Sequence, residues 1–197
     1  GRKVRKNLNR ADYTIITGVR DPIAYEISDF FQLAKLVDHK CYDERGDLSP
    51  DLIIEYLLKR FRTFDDSEDD FFSTDWIDQE IKGNLGIDLY EYPFDPSKGY
   101  EVVRAGKITL LVYQFEKLQT SYKQAMAELL GIKPALIPDL RTSNIGQAKW
   151  YSEIYRSVMD NIVIPVEVCE KIYSTKHVQH FYDQETINQW IKRWSQQ

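Results

Sequence analysis

Cysteine is scarce: Cys41 and Cys169 are the only two in 197 residues, and they lie far apart. Nothing in that pattern suggests a disulfide framework, and a reducing cytoplasm is the expected location. Histidine is nearly as rare, with His39, His177 and His180. His177 and His180 are spaced to share a helix face, but no carboxylate or thiol stands at ligand spacing, so no metal site is expected. His39 and Cys41 are two residues apart and would face away from each other on a helix, which argues against a Cys–His nucleophile pair. Positive charge is not in excess. The net charge of −5 excludes general affinity for nucleic acid. No apolar run approaches the length of a membrane span, and nothing reads as a signal peptide. None of the 9 glycines stands in a G-x-x-x-x-G-K-[ST] arrangement that would cradle a phosphate.

What is present suits a folded core. The chain is 43% hydrophobic and 13% aromatic, and a single domain over residues 1–197 is the first expectation. The periodicities predict strand 13–19, helix 22–38, helix 50–62 and a helix over about 68–82. An irregular connection or short hairpin follows over 85–107, then strand 108–115 and helix 119–130, ended by Gly131. Helices near 144–160, 165–173 and 183–195 complete the chain, giving a helix-rich α/β fold. Strands 13–19 and 108–115 should be neighbours in one parallel sheet. The basic run Arg2, Lys3, Arg5, Lys6 and Arg10 reads as a solvated helix, or else as a surface for a polyanion. The acidic run Asp65, Asp66, Glu68, Asp69 and Asp70 reads as the start of the helix that carries Phe71, Phe72, Trp76 and Ile77.

The densest signal lies between Thr14 and Phe31. Thr14–Val19 is β-branched except at Gly18, the composition of a central strand. Asp21 is a good N-cap and Pro22 a favoured first helical residue. Ile23, Ile27, Phe30, Phe31 and Ala34 then form one apolar helix face. Ligands of open α/β sheets bind at the carboxyl ends of strands, and an Arg there suits a phosphate or sulfate.

Arg20-Asp21-Pro22 followed by Ser28-Asp29-Phe30-Phe31 resembles the 3′-phosphate-binding segment of carbohydrate sulfotransferases, R-[DN]-P-x5-S on a strand and the helix after it. The resemblance extends through Trp76–Lys82, Gly86–Asp88, Tyr92–Asp95, Lys98–Tyr100 and Thr109–Leu118. Lys149-Trp150-Tyr151-Ser152, Ile172–Lys176 and His180–Tyr182 resemble a capsular polysaccharide synthesis family named for an N-K-W-Y-S motif, with Ala148 in place of the Asn. The resemblance implies a P-loop-type, sulfotransferase-like three-layer fold with a parallel sheet. It also implies in-line sulfuryl transfer from PAPS to a hydroxyl of a glycan or small-molecule acceptor in capsule or exopolysaccharide synthesis. Arg20 and Ser28 would grip the 3′-phosphate of PAPS or PAP in one shared pocket, with Lys176 as an additional cation. The structural alternative pairs Arg20 with a carboxylate and lays Ser28 against the sheet.

Other residues have competing readings. Trp150, Ile154 and Val158 fit a core stripe, although Lys149 or Trp150 could instead face a cleft, where Trp stacks on adenine or a sugar. Glu116 is the best acid available, but a glutamate ending a strand more often holds backbone amides, so no catalytic base is assigned. The glycine- and serine-rich donor loop of sulfotransferases is missing from the sequence. Either the chain is the C-terminal portion of a longer domain, the expected case, or it is a degenerate relative. Truncation would leave an apolar groove beside strand 13–19 that a partner or second copy fills by self-association. Against the enzyme stand two other classes, a non-catalytic nucleotide- or glycan-binding module and a structural subunit of a polysaccharide-synthesis apparatus.

Overall fold

The computed structural model describes residues 12–33, 41–64, 72–140 and 150–196, without the side chains of residues 72 and 73. The basic run at residues 2–10, the acidic run at 65–70, and Ala34, His39 and Lys149 lie outside the described residues. The chain divides into two compact units. One comprises Gly1–Arg20, Thr74–Arg141 and His180–Asp183; the other comprises Asp21–Ser73, Thr142–Gln179 and Gln184–Gln197.

The first unit is built on a three-stranded mixed sheet of β1 (Tyr13–Val19), β2 (Tyr100–Ala105) and β3 (Ile108–Gln114), in the order β1-β3-β2. β1 and β3 are parallel neighbours, as their apolar composition led us to expect, with Tyr13 opposite Ile108 and Val19 opposite Gln114. Two expectations are corrected. The sheet is not wholly parallel, because β2 pairs antiparallel with β3 through the tight turn at Gly106. Nor is β1 central: among the described residues it pairs on one side only, and Ile16 is 50% exposed. β-branched composition reports fitness for a pleated, half-buried surface and says nothing of how many neighbours a strand has.

The two faces of the sheet follow the period-two alternation. Tyr100, Val102 and Leu111 pack with Ala125 of helix α4 (Leu118–Leu130), and Tyr113, Met126 and Leu129 flank them. Glycine is needed where Tyr113 leans across β1, because a Cβ on Gly18 would sit 3.0 Å from that ring. Val103, Leu110 and Val112 are buried on the opposite face. α4 ends at Gly131 in the left-handed conformation, φ 68°, as expected.

Before β2, the helix expected over 68–82 divides into a short α3 (Phe72–Trp76) and a π-helical stretch Ile77–Lys82, with Ile77 and Ile81 buried. The backbone N–H of Gly83 donates to the carbonyl of Asp78, the five-residue reach of a π-turn. Propensity reports helix here but not its pitch, which packing of the two isoleucines accompanies.

The second unit is helical: α1 (Pro22–Leu33), α2 (Pro50–Arg62), α5 (Ser152–Asn161), α6 (Val166–Tyr173) and α8 (Gln184–Ser195). The short α7 (Lys176–Phe181) runs from this unit into the first. Ile23, Ile27, Phe30 and Phe31 of α1 are buried, as their spacing implies. Ile53, Leu57 and Phe61 bury the matching face of α2, and Arg60 of α2 pairs with the buried carboxylate of Glu26 at 3.0 Å. Phe31 meets the rings of Tyr151 and Tyr155 at 5.3 and 5.1 Å. The expected Trp150–Ile154–Val158 stripe fails at its first member. Val158 is buried, but Trp150 is 58% exposed and Tyr151 takes the inward place. Helical geometry begins at Ser152, so helical spacing does not govern Trp150.

Candidate anion site at the ends of two parallel strands

Parallel strands in register end at the same level. Because Val19 lies opposite Gln114, the next residues, Arg20 and Phe115, emerge side by side at the carboxyl ends of β1 and β3. Arg20 is half-buried, with its guanidinium carbon 5.0 Å from the centroid of the Phe115 ring. Within its own unit, Arg20 makes no ion pair with a carboxylate among the described residues. Its in-plane N–H donors therefore remain available, a fork that matches phosphate, sulfate or carboxylate.

The residues at and after the end of β3 are held in place. Gln114 is buried and donates from Nε2 to the carbonyl of Phe181 at 2.5 Å, which ties residues 180–183 to the end of β3. The Tyr182 hydroxyl donates to Glu116 at 3.1 Å. Glu116 thus accepts from a side chain distant in sequence, a partner no local pattern announces. Lys117, the neighbouring cation, donates to the carbonyls of Pro96 and Ser97 and fixes the turn before β2. That close approach also requires Gly99: a Cβ there would lie 2.9 Å from the Lys117 Cβ, and its φ is 74°. The Phe181 ring is packed by Phe94 at 5.0 Å and by His180 at 4.7 Å, and His180 meets Tyr90 edge-on at 5.3 Å.

Ser28 and Lys176 belong to the other unit, so each is placed by itself. Ser28 is half-buried on α1, and its hydroxyl accepts from Gln32 Nε2 at 3.5 Å. Lys176 is exposed at the first residue of α7. His177, next to it, is buried at 1% exposure.

The second unit contains a polar cluster that sequence reading reduced to a helix cap. Asp21 is 2% exposed. Its Oδ1 accepts from the Ile23 backbone N–H at 3.0 Å, the expected cap, and also from the Tyr173 hydroxyl at 2.8 Å. Its Oδ2 accepts from the Trp194 indole N–H at 3.0 Å. One carboxylate thereby joins the start of α1 to α6 and α8. Burial pushes the Asp21 carboxyl above the ordinary range, although hydrogen bonds from Trp194 and Tyr173 pull the other way. Burial, with the Asp21 charge adding, pushes the nearby Cys169 thiol up to about 12, which makes it inert as a nucleophile. The available signal was Tyr173 on α6 and two tryptophans, Trp190 and Trp194, on α8, and nothing in the sequence says which of them meets which acid.

Among the described residues, no group of three His, Cys, Asp or Glu side chains converges as a metal set, and no helix is long and apolar enough to cross a membrane. Residues 58–183 match the model of the family described as "Putative capsular polysaccharide synthesis protein". The match covers more than half of the chain, and the chain belongs to this family. The matched span includes Phe115, Glu116, Lys176 and Tyr182, while Arg20, Asp21 and Ser28 precede it. No curated protein and no solved structure matches the chain.

Proposed function

We propose that this member of the capsular polysaccharide synthesis family is a PAPS-dependent sulfotransferase, or the 3′-phosphate-binding portion of one, acting on a polysaccharide or other glycan. The observation that carries the reading is Arg20: a guanidinium at the carboxyl end of a parallel strand, stacked on an aromatic ring and unpaired with any carboxylate of its unit among the described residues. Such a fork grips the 3′-phosphate that distinguishes PAP from ADP. Ser28 would add a hydroxyl contact and Lys176 a second cation. In the transfer, an acceptor hydroxyl oxygen bonds to sulfur as the bond from sulfur to the phosphate oxygen of PAPS breaks. PAP leaves with that electron pair, and the hydroxyl proton passes to a base that these residues do not identify. The chain's own role in this reaction is to bind and orient the donor by its 3′ end.

A second reading is a non-catalytic nucleotide- or glycan-binding module. The observation in its favour is that no glycine of the 197 residues stands in a phosphate-cradling arrangement. Calorimetry and thermal shift with PAP, PAPS, ADP and ATP test the binding claim. PAP and PAPS should bind and stabilise the protein more than ADP does. Equal response to PAP and ADP overturns the 3′-phosphate grip, and with it the sulfotransferase reading; no response to either overturns both nucleotide readings. Selective PAP binding without sulfuryl transfer to any glycan acceptor supports the module over the enzyme.

A further inference from the structure

We infer that Phe115 is a positioning residue for the anion site, holding the Arg20 guanidinium by its face so that the N–H edge is presented to the ligand. This rests on the reading of Arg20 as a phosphate ligand. Phe115 is 50% exposed, although Leu110, Leu111, Val112 and Gln114 of the preceding strand are all buried. A phenyl ring gains nothing from that place as core. What it meets there is the Arg20 guanidinium, at 5.0 Å, from the end of the adjacent parallel strand.

The choice of partner matters chemically. A carboxylate would orient Arg20 but would occupy its N–H donors and cancel its charge. An aromatic face attracts the cation through the ring quadrupole and leaves both the charge and the in-plane donors available. It also restricts a long, flexible side chain before the ligand arrives, which lowers the ordering cost of binding. The ring and the guanidinium come from different strands, so the β1–β3 register brings them level.

The test is calorimetry of PAP with the full chain carrying Phe115→Leu, Phe115→Tyr, Arg20→Ala and the double variant Arg20→Ala/Phe115→Leu. Phe115→Leu should weaken PAP roughly three- to tenfold, the effect of a partly exposed cation–π contact. Phe115→Tyr should restore parent affinity, and Phe115→Leu should cost nothing further once Arg20 is alanine. Melting temperatures should stay at the parent value, because the ring is half in solvent. Parent affinity in Phe115→Leu overturns the inference alone, provided Arg20→Ala still weakens binding. An equal loss in the Arg20→Ala background also overturns it, since the ring would then act independently of Arg20. Failure of the parent protein to bind PAP overturns the nucleotide reading, and this inference with it.

Discussion

Arg20 and Asp21 are consecutive in sequence and opposite in circumstance. Arg20 ends a strand half in solvent, with its donors unclaimed by any carboxylate of its unit among the described residues. Asp21 is 2% exposed, and its two oxygens accept from a backbone amide, a phenol and an indole. One charge is kept solvated and open, the other desolvated and saturated. A buried carboxylate without its donors would be prohibitively costly, whereas a guanidinium that still reaches water costs far less without a partner. The pair shows how adjacent residues can take one side chain into a saturated structural anchor and leave the other with its donors open.

The comparison predicts that damage at the two positions separates into stability and binding. The largest effect should come from Asp21→Ala, which strands the Tyr173 hydroxyl and the Trp194 indole N–H in the interior. A loss of about 2–6 kcal/mol is expected in urea denaturation, since each of the two buried unsatisfied donors costs roughly 1–3 kcal/mol. Stability within error of the parent would show that the second unit does not depend on this carboxylate. Next in size is Arg20→Ala. It should weaken PAP roughly ten- to a hundredfold, about 1.5–3 kcal/mol for a charge-assisted contact, while leaving the urea midpoint unchanged. Ser28→Ala should weaken PAP by less, and a loss equal to that of Arg20→Ala would reverse the proposed ranking.

A third consequence concerns pH. The folded-state carboxyl of Asp21 lies above its ordinary value of 3.8 because burial disfavours the charge. Above 3.8 and up to the raised native value, the folded state therefore holds a proton that the unfolded chain has released. Stability should fall as pH rises through that window, and recover on acidification as far as this group alone is concerned. Asp21→Asn removes the titration and should flatten that segment of the stability–pH curve, although its amide would face the Trp194 N–H and lower stability throughout. An unchanged slope in the variant would assign the dependence to other groups. The smallest effect belongs to Trp150→Ala. With the indole 58% exposed, it should change stability by less than about 0.5 kcal/mol, and a larger loss in thermal denaturation would restore Trp150 to the core.

Much of the local structure was legible in the chain. Helix 50–62 was bounded by its Ser49-Pro50 start and its apolar spacing, and α1 showed its buried face through Ile23, Ile27, Phe30 and Phe31. The β1–β3 pairing followed from two short apolar runs, each followed by a helix. The readings that failed were those in which local composition was asked about distant partners: β1 as a central strand, Trp150 as core, and a wholly parallel sheet. The candidate site was half legible. Arg20 is marked as a candidate by its place after a strand and before a helix. Phe115 was passed over because an aromatic at a strand end carries no mark of exposure.

By itself, the amino-acid order determined which segments form helices and strands, where Pro22 and Pro50 start them, and that Gly131 ends one. These outcomes depend on steric preferences and periodicities spanning a few residues. Tertiary structure alone decided that β1 pairs on one side only among the described residues, that Phe115 faces Arg20, and that Asp21 receives Tyr173 and Trp194 from 152 and 173 positions away. The physical reason is range. Backbone sterics act within a turn, but burial and hydrogen-bond saturation belong to whatever the folded chain brings alongside.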